Sequence, residues 1–132
     1  MGPPVIVDTD IFIDFSLDDS YSVQTMAYLE NNFTITISVI TAMELYSGIR
    51  SKKEKKEVDR LVSDIPVEFV TKPISEKAFE LLKEYRPGYG VEINDMLIAA
   101  TAMTLEAKMI SKNQKHYKFL PDIDLLEYPL NV

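Results

Sequence analysis

The chain has 132 residues, 46% of them hydrophobic, with no cysteine, a single histidine and a net charge of −7, enough for one core and a single domain over residues 1–132. Without cysteine there are no disulfides, thiolate nucleophiles or Cys-ligated metals, and the lone His116 removes two-His zinc motifs and most hydrolytic triads, leaving carboxylates and a hard, oxygen-loving cation as the natural chemistry. The acidic balance argues against indiscriminate nucleic-acid coating; no apolar stretch approaches the roughly 20 residues of a membrane span and no signal-peptide layout opens the chain, so the expected compartment is the cytoplasm.

Strand-like and helix-like segments alternate along the chain, the pattern of a mostly parallel sheet covered by helices on both sides. Pro4-Val5-Ile6-Val7 reads as a buried strand that ends directly in Asp8 and Asp10. Asp18-Asp19-Ser20 offers caps for a helix running to about Asn31, with Val23, Met26, Ala27 and Leu29 as its apolar positions. Phe33 to Ile37 is the second strand, and Ser38 or Thr41 starts the helix that carries Ala42, Met43, Leu45 and Tyr46, weakening near Gly48. A charged helix from Ser51 to about Ser63 follows, with Val58, Leu61 and Val62 as its narrow apolar side. Val67 to Val70 is a third strand, and Pro73 and Ser75 introduce a helix through Ala78, Phe79, Leu81 and Leu82. The stretch Arg86-Pro87-Gly88-Tyr89-Gly90 is expected to be a loop. Asn94 is placed to cap a central helix through Met96, Leu97, Ile98, Ala99, Ala102, Met103 and Leu105, and Met109-Ile110 and Ile123 to Leu126 are the last strand candidates.

Most of the 21 acidic residues must be solvated surface. Three stand out by their surroundings: Asp8 follows a buried strand, Glu44 sits between Met43 and Leu45, and Asp95 opens the most hydrophobic helix. Two like charges about 4 Å apart repel by roughly 4 kcal/mol at an effective dielectric near 20, so a convergent cluster wants a divalent cation or a shared proton. Taken singly, each has an ordinary explanation: Asp8 as a turn cap, Glu44 facing water, Asp95 complementing a helix N-terminus.

Four blocks in sequence resemble the PIN-domain ribonucleases, specifically the VapC-type toxins. They are Val7-Asp8-Thr9-Asp10-Ile11-Phe12-Ile13-Asp14, Ile37 through Ile49 around Glu44, Asn94-Asp95-Met96-Leu97-Ile98-Ala99-Ala100-Thr101-Ala102, and Met109 through Tyr117 around Ser111-Lys112-Asn113. The resemblance implies a three-layer α/β/α sandwich with a mostly parallel sheet, on which Asp8, Glu44, Asp95 and Asn113 gather at the carboxyl ends of the strands. It implies one or two Mg²⁺ or Mn²⁺ ions and hydrolysis of RNA phosphodiesters by activated water. Asp8 and Asp95 would be direct ligands, Glu44 a ligand of a second ion or of a water, and Asn113 a neutral orienting group, with Ser111 and Thr9 in support. It further implies a homodimer and a small antitoxin protein as partner. Two positions depart from the usual pattern: Asn113 stands where Asp is common, and Asp10 where Asn or Ser is frequent. Asp10 is accordingly a candidate further ligand, or a residue that orders the turn after the strand.

Nine of the fourteen Lys and Arg residues flank these blocks: Arg50, Lys52, Lys53, Lys55 and Lys56 after the Glu44 helix, and Lys108, Lys112, Lys115 and Lys118 around Asn113. Arg50, Lys52, Lys53, Lys112 and Lys115 are candidates to hold RNA phosphates, with Tyr117, Phe119 or Tyr89 stacking bases. Interspersed Glu54 and Glu57 also fit ordinary helix surface. Other classes compete. Asp8-Thr9-Asp10 fits a haloacid-dehalogenase-like phosphatase, Thr71-Lys72-Pro73 a receiver-like domain, and Asn113 a PIN-like module that binds RNA or protein without cutting.

Overall fold

The computed structural model describes residues 2–130, so Met1, Asn131 and Val132 of the expected 1–132 span lie outside the described residues. Its elements run β1 (Pro4–Val7), α1 (Thr9–Ser16), α2 (Ser20–Asn32), β2 (Thr34–Ser38), α3 (Val39–Ser47), α4 (Lys52–Val62), β3 (Val67–Glu68), α5 (Lys72–Tyr89), α6 (Ile93–Thr104) and β4 (Lys108–Ile110). The sheet order is β3-β2-β1-β4, every pairing parallel. Val5 lies opposite Ile35 on one side and Lys108 on the other.

Because side chains alternate across a strand, β1 feeds both layers. Val5 and Val7 point into a cluster with Ile11, Phe12, Met26, Leu29, Ile37 and Ile110, beneath α1 and α2. Ile6 points the other way, with Met109, into a core built from Ile74, Leu81, Met96, Ile98 and Ala99 of α5 and α6. Val5, Ile6 and Val7 are all fully buried, as a strand covered on both faces must be. The result is the expected three-layer α/β/α sandwich. From β1 the chain builds outward through β2 to β3, then returns to place β4 on the free side of β1. The order reverses between β1 and β4, and in open α/β sheets the crevice at such a reversal is where ligands bind.

Three local readings need correction, and one helix is not legible in the sequence. Thr9–Ser16 is a helix that the β-branched and aromatic run Ile11-Phe12-Ile13 concealed; burial of Ile11 and Phe12 outweighs their modest helix preference. In α2 the inward face is Ser22, Thr25, Met26 and Leu29, while Val23 is exposed, because the small hydroxyl residues fit close to the sheet. The expected loop at 86–90 is instead the last turn of α5. Pro87 lies inside this turn, and the helix ends at Gly90, which takes the left-handed conformation (φ 63°) and donates its N–H to the Arg86 carbonyl at 3.0 Å. Asn94 does not cap α6, which starts two residues earlier, at Ile93, after Glu92 and without a side-chain cap. The other boundaries shift slightly. Ser38 rather than Thr41 caps α3, with its Oγ accepting from the Ile40 N–H. The third strand is only Val67–Glu68, and of the 123–126 segment only Leu125 forms a bridge, parallel to Met109.

Candidate functional site

Asp8 follows directly on β1, and its backbone N–H donates to Ile110 O at 2.9 Å, tying it to the end of β4. It is only 5% exposed. Its Oδ1 accepts from the Thr9 N–H at 2.9 Å, as the cap of α1, while Oδ2 accepts from Ser111 Oγ at 2.7 Å and from the Tyr117 hydroxyl at 3.0 Å. Burial, then the neighbouring charge of Asp10, pushes Asp8 up from 3.8 to about 6, with the three hydrogen bonds pulling the other way.

Asp95 sits in the first turn of α6, where the helix dipole favours an anion. Its Oδ1 lies 3.2 Å from the same Tyr117 hydroxyl, and its Oδ2 lies 3.3 Å from His116 Nδ1. Burial raises its pKa as well, with Glu44 adding to the effect. Tyr117 is fully buried between the two acids, and burial and both carboxylates hold its phenol far above the ordinary range, so it stays protonated. A single phenolic proton bridges two carboxylates.

Glu44, on α3, is held by two neighbours. Thr9 Oγ1 donates to its Oε1 at 2.6 Å, and Asn94 Nδ2 donates to its Oε2 at 3.3 Å. Asn94 is thus a link between α6 and α3 rather than a cap. Asp10 accepts from the Lys112 N–H at 3.2 Å and the Asn113 N–H at 3.1 Å, with Ser111 Oγ at 3.3 Å. Both its oxygens are occupied by the 111–113 turn, and burial still raises its pKa. The turn that Asp10 orders is thus the one after the last strand, not the one after the first. Asn113 is brought beside Asp10 by its backbone, with its side chain exposed.

The structure therefore brings Asp8, Asp95, Glu44, Asp10, Ser111 and Thr9 into one hydrogen-bonded cluster around the ends of β1 and β4. Among the described residues, no three acidic or imidazole side chains stand close enough to form a closed metal cage; Tyr117 and Thr9 are interposed. An all-oxygen donor set with its acids raised by burial is nonetheless chemically suited to a hard divalent cation, which needs only one or two carboxylates and keeps waters for its other positions.

The expected basic residues divide. Lys112 Nζ is paired with Asp14 at 2.6 Å, next to Asp10, and Lys115 lines a cleft beside Asp95. Lys52 and Lys53 are exposed on the outer face of α4, and Arg50 lies 4.0 Å from Glu54. Lys108 pairs with Asp124. Between α1, α3 and α4 runs a groove of about 690 Å³ that reaches Glu44, with Phe12, Phe15, Leu45 and Leu61 in its apolar lining and Glu54, Glu57 and Arg60 in its charged lining. Tyr117, expected among the stacking residues, is buried beneath the acids and offers no face to a base. Sequence reasoning missed Tyr117 as a bridge, His116 as a neighbour of Asp95, and Asn94 as a partner of Glu44. The spacing Asn113-x-x-His116-Tyr117 was the one available signal, since a hydroxyl-bearing ring just after the last active-site block can fold back onto the first.

An acid cluster at the strand-order reversal of a parallel α/β/α sheet defines the class to which comparisons with known proteins also point. The PIN domain profile matches residues 5–119, and the chain belongs to the PIN domain family. Ribonuclease VapC of Rickettsia bellii (strain RML369-C) is 31% identical over 134 residues, covering 96% of this chain and 97% of that protein. Ribonuclease VapC19 of Mycobacterium tuberculosis (strain ATCC 25618 / H37Rv) is 29% identical over 120 residues, covering 89% and 95%. Among solved structures, a toxin-antitoxin complex from Klebsiella pneumoniae contains a chain of the same fold, with TM-score 0.80, 23% identity and coverage of 97% and 99%. VapBC2 from Rickettsia felis, bound to a DNA fragment from its promoter, gives TM-score 0.79 at 22% identity, covering 92% and 96%. At such identities the structural likeness is one of fold.

Proposed function

We propose that this chain is a divalent-metal-dependent endoribonuclease, the toxin of a VapBC-type toxin–antitoxin pair, using Mg²⁺ or Mn²⁺. The observation that carries the reading is the convergence of Asp8 and Asp95, from the ends of β1 and the start of α6, on the single proton of Tyr117. Two acids so placed share one neutral donor, with only the His116 ring beside Asp95, and a divalent cation would supply the missing positive charge. When bound, a divalent ion activates water and offsets the charge of the attacked phosphate. Asp8 and Asp95 would hold it directly; Glu44, fixed by Thr9 and Asn94, would hold a second ion or a water. Asp10 and Ser111 keep the 111–113 turn in place, and Asn113 orients groups on the open side. Lys112 and Lys115 attract the RNA backbone.

The relatives' names and the complexes formed by proteins of this fold support an RNA substrate and an antitoxin partner. The groove beside Glu44 joins apolar lining to three glutamates, Glu44, Glu54 and Glu57, against one arginine, Arg60, which suits an antitoxin segment with apolar residues and an arginine reaching toward the carboxylates. A homodimer is proposed on the family's pattern. The phosphatase reading loses ground because Asp10, its required acid/base, has both oxygens committed to backbone amides. The test is cleavage of RNA with and without Mn²⁺ by the native chain, Asp8→Ala and Asp95→Asn. Each variant should lose at least about 100-fold of the rate, since even outer partners of a metal site are worth 10- to 100-fold. Metal-dependent cutting at the native rate by both variants would remove the proposal, and RNA binding by a native chain that never cuts would favour the binding module.

A further inference from the structure

Asp95 also lines a second cleft, of about 140 Å³, whose other walls include Tyr89, Phe119, Lys115, His116 and Glu92. Here two aromatic rings and two basic side chains are set around the Asp95 carboxylate. The Tyr89 and Phe119 rings are stacked, with centroids 4.0 Å apart and planes 6° from parallel, and Tyr85 braces Phe119 at 5.4 Å. Phe119 is half-buried, whereas Tyr89, the last residue of α5, is 61% exposed. An exposed ring already fixed by a stacking partner loses little further freedom when another ring is laid against it. Glu92 is drawn toward Arg86, with Oε1 3.5 Å from Nη1, which leaves Lys115 as the basic group of the cleft with no acidic partner among the described residues. His116 is held beside Asp95 by the 3.3 Å contact already described.

Resting on the nuclease reading, we infer that this cleft is a subsite for one unpaired nucleotide of the RNA adjacent to the cleaved phosphate, its base stacked on Tyr89 and its phosphate met by Lys115 and His116. Stacking on an aromatic ring requires a base freed from a duplex and tolerates any base, so the subsite selects for single strands and loops rather than for a particular letter. Its juxtaposition with Asp95 sets the reach: a nucleotide held there delivers a neighbouring phosphate to the acid cluster.

The test is fluorescence anisotropy of labelled single-stranded RNA of random sequence, with Ca²⁺ in place of Mg²⁺ to separate binding from turnover. Tyr89→Ala should weaken binding about tenfold, Tyr89→Leu nearly as much although it keeps an apolar side chain, and Tyr89→Phe less than twofold. RNA carrying abasic riboses should bind the native chain as weakly as intact RNA binds Tyr89→Ala, with no further loss in that variant. A loss of this kind that depends on the base is not produced by a merely structural role for Tyr89. Native-like affinity in Tyr89→Ala, an equal loss against abasic RNA, or failure of the native chain to bind RNA would each overturn the subsite. The two readings separate cleanly. Tyr89-dependent binding without Mn²⁺-dependent cutting leaves the subsite and removes the nuclease; cutting with one KM for native and Tyr89→Ala does the reverse.

Discussion

Tyr117 has one proton and two carboxylates within reach, and that mismatch is the most informative detail at the scale of single residues. With the phenol removed, Asp8 Oδ2 keeps only Ser111 as a donor. A hydrogen bond to a charged, buried acceptor is worth about 1.5–3 kcal/mol, so Tyr117→Phe should lower stability by about 1–2 kcal/mol at pH 7.5 in urea denaturation without metal. Since the lost bond favoured the ionised acid, the cost should shrink toward pH 4, where Asp8 is protonated. A cost that is the same at both pH values would assign it to packing instead. The residues of the site were unevenly legible. Asp8, Glu44 and Asp95 announced themselves because a charge beside buried positions needs an explanation. Tyr117, His116 and Asn94 did not, because an aromatic among lysines reads as a surface for stacking bases and an amide near a helix start reads as a cap. Which distant group a polar tip reaches is decided by the fold, not by its neighbours in the chain.

At the level of elements, the end of α5 shows how local rules and tertiary packing compete. Pro87 and two glycines within five residues spell a loop, yet the helix continues through them, with Leu81 buried against α6 and Tyr85 packed on the same core. Arg86 Nη1 donates to the carbonyls of Gly90 and Val91, satisfying groups just beyond the last turn. Of Pro87, Gly88 and Gly90 only Gly90 carries the left-handed backbone, and a Cβ added there would meet nothing within 4 Å. The penalty for a side chain is therefore conformational and not steric crowding by neighbours. Gly90→Ala should cost about 1–2 kcal/mol, and Gly90→Asn clearly less, because Asn tolerates this region better. Equal losses for the two in urea titrations would show that the turn has another origin. The same competition hid α1, whose β-branched residues look like strand until the sheet is seen to need Ile11 and Phe12 on its surface.

For the molecule as a whole, the sheet order sets an electrostatic cost that the fold carries. Reversal between β1 and β4 places Asp8, Asp10 and Asp95 in one crevice, and burial raises the pKa of all three. A carboxylate whose folded pKa is raised binds its proton more tightly when folded, so its effect on stability is unfavourable once ionised. Stability falls as pH climbs from the unfolded value through the folded one. For Asp8 that window runs from 3.8 to about 6, and the difference amounts to about 3 kcal/mol. Removing the charge should remove the slope. In chelator, Asp8→Asn should gain on the native chain by up to about 3 kcal/mol between pH 4 and pH 7, with the difference level above pH 7. Added Mn²⁺ should reverse the ranking at pH 7.5, raising the melting temperature of the native chain and leaving Asp8→Asn nearly unmoved. The proton that Asp8 retains near pH 6 should be released when the ion binds, seen as a buffer-dependent binding enthalpy in calorimetry. A stability difference that does not change with pH would mean that Asp8 is at ease in its crevice, and a fold at ease there has no electrostatic reason to take up a cation.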